Sequence, residues 1–311
     1  MIHRTNRTLT VTIAFSFLIA GILKTGNALA VHPDIHRHVT SVSETVYLDC
    51  LKQLGFKNSL KNGMNRIVMF SGQEDISPVL QRFFNWHFFD AYRDDEANAM
   101  SRHFTGARMS LHHIYNEHAD DLTEALLNEQ GNEVYELTGR LLHYIQDMTV
   151  PAHVAPIFHY TFVIFDRSDY FDGMPEWRTS SFTPKPDTCT FEKVKLADLK
   201  QQLNVILNKT ALVTRDRIKE QIPVPENHPL SGKTWEEFWV LRKPEDDEKY
   251  MDTIKGFAPY GNQGRGGFER FCNGSDSERD ACLSFFMGSY ESAISSTVEM
   301  LLLINSIVQR K

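Results

Sequence analysis

The chain has 311 residues, 41% of them hydrophobic, with 33 basic against 40 acidic side chains and a net charge of −7. That is material for one large core or two small ones, and the charge has the wrong sign for a general nucleic-acid binder, which presents a basic face. It does not exclude a metal-dependent nuclease, because a bound cation supplies local positive charge.

The N-terminus reads as an export signal. Arg4 and Arg7 make a basic start, Leu9 to Leu23 is mostly apolar, and Ala28-Leu29-Ala30 offers a small-x-small cleavage site. The apolar run is shorter than the roughly 20 residues that span a bilayer, so a signal peptide over residues 1–30 is preferred to an uncleaved anchor. Cleavage would remove three basic residues and no acidic one, leaving residues 31–311 with a net charge of −10 and a secreted or periplasmic location. No stretch of that mature chain reads as membrane-spanning; Met300 to Val308 comes nearest and is too short. Cys50, Cys189, Cys272 and Cys282 all lie in it, and an even count in an exported chain suggests disulfides. Of the three pairings, the one joining Cys272 to Cys282 and Cys50 to Cys189 is preferred, because the first closes a short polar loop.

Helical patterns dominate the rest. Thr40 to Leu54 carries Val42, Val46, Leu48 and Leu51; Pro78 to Phe89 is aromatic-rich and helical at its start; Ala107 to Leu127 alternates at helical spacing. Val134, Leu137, Leu141, Leu142 and Ile145 mark a core helix, in which Gly139 leaves room for a neighbouring backbone. Thr161 to Phe165 is the one weak strand signal. Asp172 to Thr190 and Ile222 to Gly274 read as irregular, and Leu196 to Glu220 and Leu283 to Val308 as long amphipathic helices. The glycines of 261–267 do not make a phosphate loop, since no lysine of that motif follows and no strand precedes them. The expectation is one all-α, multi-helix domain over residues 31–311 with long loops.

The most informative stretch is His143-Tyr-Ile-Gln-Asp147-Met-Thr-Val-Pro151-Ala-His153. His143 and Asp147 share one helix face, Pro151 stops the helix, and His153 follows on the turn, so two imidazoles and a carboxylate converge within about 10 Å. Imidazole and carboxylate together suit zinc. Further candidates flank it: His32, His36 and His38 near the new N-terminus, Asp75 after Glu74, His87 among Trp86, Phe88 and Phe89, then His159 with Asp166, Asp169 and Asp172. His112, His113 and His118 read as helix-surface residues, and His103 and His228 as isolated.

The order of these motifs resembles the zinc-dependent phospholipase C family of secreted bacterial enzymes, which shares its fold with fungal single-strand-specific zinc nucleases. His36-Arg-His-Val-Thr, Glu74-Asp75, Trp86-His87-Phe-Phe-Asp90 and the His143 to His153 stretch carry the resemblance, over residues 36 to about 172. It implies three zinc ions, with Asp147 bridging two. Asp75, His87 and His143 would complete one site; His36 with the amine and carbonyl of the first mature residue, Val31, would complete another; His153, His159 and an acid would hold the third. The family's mature chain usually begins with tryptophan and its last histidine is followed four residues later by a carboxylate. Here those positions are Val31 and Val163, so Asp172 is chosen as the acid, with Asp169 close behind.

The implied activity is hydrolysis of a glycerophospholipid, at a membrane surface or micelle, to diacylglycerol and a phosphorylated headgroup, with Asp147 organising the metals and Asp75 orienting the attacking water. A monomer with no stable nucleic-acid partner is expected. The alternatives are a nuclease or nucleotidase on the same cluster, and a non-catalytic secreted binding protein that zinc stabilises.

Overall fold

The structure, a computed structural model, describes residues 33–75, 87–89, 91, 111–157, 159–162, 165–180, 189, 193–241 and 258–310. The signal-peptide segment, Val31, His32, residues 78–86, Asp90 and His103 lie outside the described residues.

The fold is mostly helical. In chain order the helices are α1 (Pro33–Leu54), α2 (Met64–Ser71), α3 (Leu111–Leu127), α4 (Gly131–Asp147), α5 (Pro151–Val154), α6 (Glu176–Thr179), α7 (Leu199–Ile218), α8 (Gly267–Cys272) and α9 (Asp276–Val308). The only sheet among the described residues is an antiparallel hairpin, β1 (Tyr160–Phe162) against β2 (Phe165–Arg167). The single weak strand expected at 161–165 is thus two short ones.

Helix α4 is the axis of the domain. Its second half, Leu141 to Asp147, is buried all round, as a helix at the centre of a globule must be. It packs against α2, α3 and α9; α1 crosses α2 and α9, and α7 packs on α9 and α3. The closest approach is at Gly139, where a Cβ would stand 2.5 Å from Ile67 O and 2.9 Å from Ser71 N. The absent side chain lets the end of α2 reach α4.

Two readings needed correction. Helix α1 begins at Pro33 rather than Thr40, so His36 and His38 are helical residues; proline is suited to the first helical position, and Asp34 favours the positive end of the helix dipole. Its buried face includes His36, Thr40, Ser43, Tyr47 and Cys50, a polar stripe at helical spacing that an apolar pattern does not reveal. The helical start of the 78–89 stretch lies outside the described residues, and residues 87–89 are irregular. The described parts of 222–274 are held by aromatic packing: Trp235 lies 4.4 Å from Phe285 and Trp239 lies 4.6 Å from Phe268, ring centre to ring centre.

Helix α9 is long and apolar enough to cross a membrane, which the Met300–Val308 reading did not anticipate, but 72% of its apolar window is buried inside the protein. It serves as a core helix. Cys50–Cys189 and Cys272–Cys282 are disulfides, which fits an oxidising compartment. The second ties the end of α8 to the first turns of α9, so its loop is an interhelical staple.

Gly139→Ala is expected to cost about 1–3 kcal/mol, the usual penalty for overpacking, because backbone atoms of α2 must give way. Denaturant unfolding of the purified variant checks this; an unchanged midpoint would mean that α2 can shift freely.

Candidate metal centre

The local sequence sets the site at a break in the chain. Helix α4 ends at Asp147, Val150 is extended as the residue before a proline should be, and Pro151 opens α5 at its first position. His153 therefore sits on a short helix, and its carbonyl accepts from Phe89 N at 3.0 Å. That bond secures the 87–89 segment beside the cluster.

Asp147 is fully buried. Its Oδ1 lies 3.5 Å from His36 Nε2; its Oδ2 lies 2.7 Å from His87 Nδ1, 3.4 Å from His143 Nε2 and 3.7 Å from His153 Nδ1. Neither oxygen makes a hydrogen bond, since even the His87 contact lacks the angles for one. His36 Nε2, both nitrogens of His153 and Asp172 Oδ1 are likewise buried without one. Buried polar atoms ordinarily find partners, so this many converging unbonded donor atoms indicates a site built for something else.

Among the described residues, three overlapping groups have the composition and spacing to hold a metal ion: His36, Asp75 and His143; His87, His143 and Asp147; and His153, His159 and Asp172. An ion bound tetrahedrally at about 2.0–2.2 Å sets its ligand atoms roughly 3.3–3.6 Å apart. His36 to Asp75 is 3.6 Å, His143 to Asp147 is 3.4 Å, His159 to Asp172 is 3.3 Å, and His153 to Asp172 is 3.7 Å. These pairs match such an ion, whereas the 2.7 Å His87–Asp147 and 3.9 Å His143–Asp75 separations would have to adjust on binding.

Imidazole orientation supports the same reading. His143 Nδ1 donates to Ser71 O at 2.9 Å, His159 Nδ1 to Ile157 O at 2.9 Å, and His36 Nδ1 to Gln146 Oε1 at 2.9 Å. Each bond leaves Nε2 facing the carboxylates. A ring nitrogen donating outward while the other turns to the ion is the usual arrangement of metal-ligating histidine.

The chain returns through the β1–β2 hairpin to bring Asp172 to His159, which explains how a site can form with valine at position 163. Asp169 is otherwise engaged. Its Oδ1 accepts from the backbone N–H of Phe171 and Asp172, and its Oδ2 accepts from Trp239 Nε1 at 3.1 Å. Between the two acids considered for the third group, the geometry selects Asp172. His38 bonds to Ser180 O, His228 pairs with Glu278, and His113 is exposed, so none of these joins the cluster. His118 is half-buried, 3.9 Å from Glu74.

Sequence reasoning missed two supporting residues. Glu74 is buried next to Asp75, where it accepts from the Tyr144 hydroxyl at 3.0 Å and pairs with Arg140. It thereby anchors the Asp75 turn to α4. Gln146 is the partner of His36. Both act through bonds between distant segments, and only their adjacency to Asp75 and Asp147 was visible beforehand. Phe88 lies against His153 and His159, with ring centres 5.5 and 5.3 Å away, and forms an apolar wall at the third group.

The electrostatics follow from burial and crowding. Burial alone would raise the Asp147 carboxyl, but His143, His153 and His87 hold it well below the usual carboxylate range. At Asp172 burial is likewise outweighed by His153 and His159. Burial lowers His36 despite the pull of Asp147, and burial together with His36 lowers His143 further. At His153 burial is overcome by Asp147 and Asp172, which push it up to about 9.

Comparison of the chain with protein-family models, curated proteins and solved structures gave no match.

These shifts predict a pH signature for the metal-free protein. His36 and His143 have folded values below the ordinary 6.5, so the unfolded chain takes up protons that the folded cluster refuses, and stability falls as pH drops below 6.5. His153 is raised, so its contribution is complete below 6.5 and is lost as pH rises through about 9. Chelated protein should lose thermal stability between pH 6.5 and about 9, and saturating metal, which needs His153 neutral, should remove that loss. Melting curves across this range check it; a flat alkaline limb without metal would show that His153 is not protonated in the fold.

Proposed function

We propose that the protein is an exported zinc-dependent phosphodiesterase of the phospholipase C type, acting on glycerophospholipids. The observation that carries this reading is the shared carboxylate: Asp147 presents one oxygen to His36 and the other to His87, His143 and His153. Such sharing sets ions side by side, which a structural zinc with four closed ligands does not need. On this reading the cluster would hold three zinc ions, the number the resemblance implies, and Asp147, whose two oxygens face different imidazoles, would be the carboxylate that two of them share. Val31, whose amine and carbonyl would complete the His36 site after signal cleavage, belongs to the proposal on the resemblance alone.

Bound zinc supplies neutralisation of the phosphate charge and a lowered pKa for water at the site. The chain's own residues do the rest. Asp75, held in its turn by the Glu74–Arg140–Tyr144 bonds, orients the attacking water; as a metal ligand it is a weak base, so orientation is its main contribution. The buried imidazoles exclude bulk water from the cluster, and Phe88 offers an apolar surface to an acyl chain. The mature charge of −10 favours a single phosphodiester in a lipid headgroup over a nucleic-acid polyanion, which needs a basic approach.

The test is metal content of the mature protein together with phosphatidylcholine hydrolysis, with and without chelator. Three zinc ions per chain and chelator-sensitive release of diacylglycerol are expected. Zinc with turnover of single-stranded nucleic acid instead of lipid would move the substrate to the nuclease class. Zinc whose removal unfolds the protein, with neither turnover, would make it structural. Asp147→Ala is expected to reduce bound zinc and to abolish hydrolysis, whereas His112→Ala, on α3, should leave both unchanged. Near-normal turnover in Asp147→Ala would sink the bridging assignment.

A further inference from the structure

Gln146 lies between His143 and Asp147 in sequence but points its amide elsewhere. It is buried; its Oε1 accepts from His36 Nδ1 at 2.9 Å, and its Nε2 donates to Thr40 Oγ1 at 2.9 Å and Thr297 Oγ1 at 3.1 Å. One amide thus ties α4 to α1 and to α9. We infer that Gln146 is a positioning residue that fixes His36 in the tautomer able to bind metal, an inference that rests on the metal-centre reading.

The argument is one of competing acceptors. A neutral imidazole carries one N–H and one lone pair. His36 Nε2 faces the carboxylates of Asp75 and Asp147 at 3.6 and 3.5 Å, and both attract a proton to Nε2. In that form the ring would be a donor to the carboxylates and useless as a ligand. The opposing pull must come from an acceptor on Nδ1, and Gln146 Oε1 supplies it. The amide presents its oxygen to His36 and its nitrogen to the two buried threonine hydroxyls. His143 and His159 achieve the same with backbone carbonyls of Ser71 and Ile157. Of these three, His36 alone depends on a side chain, so its tautomer alone can be released by substitution.

The experiment compares wild type, Gln146→Met, which keeps the length but offers no strong acceptor, and Gln146→Glu, which restores one. Nitrogen-15 spectra of histidine in the chelated proteins distinguish the two tautomers, and zinc affinity is read by competition with a chromophoric chelator. The expected result is an Nδ1–H ring for His36 in wild type, a shift toward Nε2–H in Gln146→Met with ~10–100-fold weaker zinc binding at one site, and recovery of both in Gln146→Glu. A purely packing role would make Gln146→Glu no better than Gln146→Met. The inference is overturned if Gln146→Met holds zinc as tightly as wild type, or if wild-type His36 already carries its proton on Nε2. A wild type that takes up no zinc overturns the metal-centre reading itself, whereas loaded wild type with an indifferent Gln146→Met overturns only the role given to Gln146.

Discussion

A carboxylate taken out of water costs several kcal/mol unless charge and hydrogen bonds replace its hydration, and Asp147 has only half of that compensation. It is fully buried, surrounded by four imidazoles, and makes no hydrogen bond. Much of the domain is arranged around this one group. Helix α4 runs through the centre and ends on it, α1 brings His36 to one oxygen, and the break at Pro151 turns His153 back to the other. Positive charge of fixed position is what such a centre demands; burial opposes it at His36 and His143, and His153 is the imidazole pushed toward carrying it.

The imidazoles are oriented from outside the cluster. Ser71 O, Ile157 O and Gln146 Oε1 each accept a hydrogen bond from an Nδ1–H, and each lies on a segment whose position is set by packing. Ser71 can reach His143 because Gly139 has no side chain to hold α2 away. Geometry at the site is thus inherited from contacts a full helix turn or more distant. The ligand spacing reflects how closely the helices pack as much as which residues they carry.

Much of this was legible in the residues themselves. The period of Val134, Leu137, Leu141 and Ile145 located α4, and the spacing of His143, Asp147 and His153 with Pro151 located the cluster. Other parts were not, for identifiable reasons. The start of α1 was read late because its buried face mixes Ile35 and Val39 with His36, Thr40 and Ser43, and only packing shows the polar members to be inward-facing. The 222–274 region was read from its prolines and glycines, while its order comes from Trp235, Phe238 and Trp239 against Phe268 and Phe285, contacts that local composition does not contain. Asp172 could be ranked above Asp169 only once the hairpin and the Trp239 bond to Asp169 were visible. Glu74 and Gln146 had no signal beyond their neighbours.

The Cys50–Cys189 bond spans 139 residues, and Asp75, His87, His143, Asp147, His153, His159 and Asp172 all lie within that span. Closing so large a ring removes entropy from the unfolded chain worth on the order of 5 kcal/mol. A covalent hoop therefore confines almost every ligand before any ion arrives, raising their effective concentration for one another in the unfolded ensemble. His36, seated before Cys50 on the same helix, is delivered to the hoop by that helix. On the proposed reading, assembly of the fold and acquisition of metal would be separable events: oxidation would secure the protein where metal is scarce, and a cluster already shaped by the fold would take up its ions later.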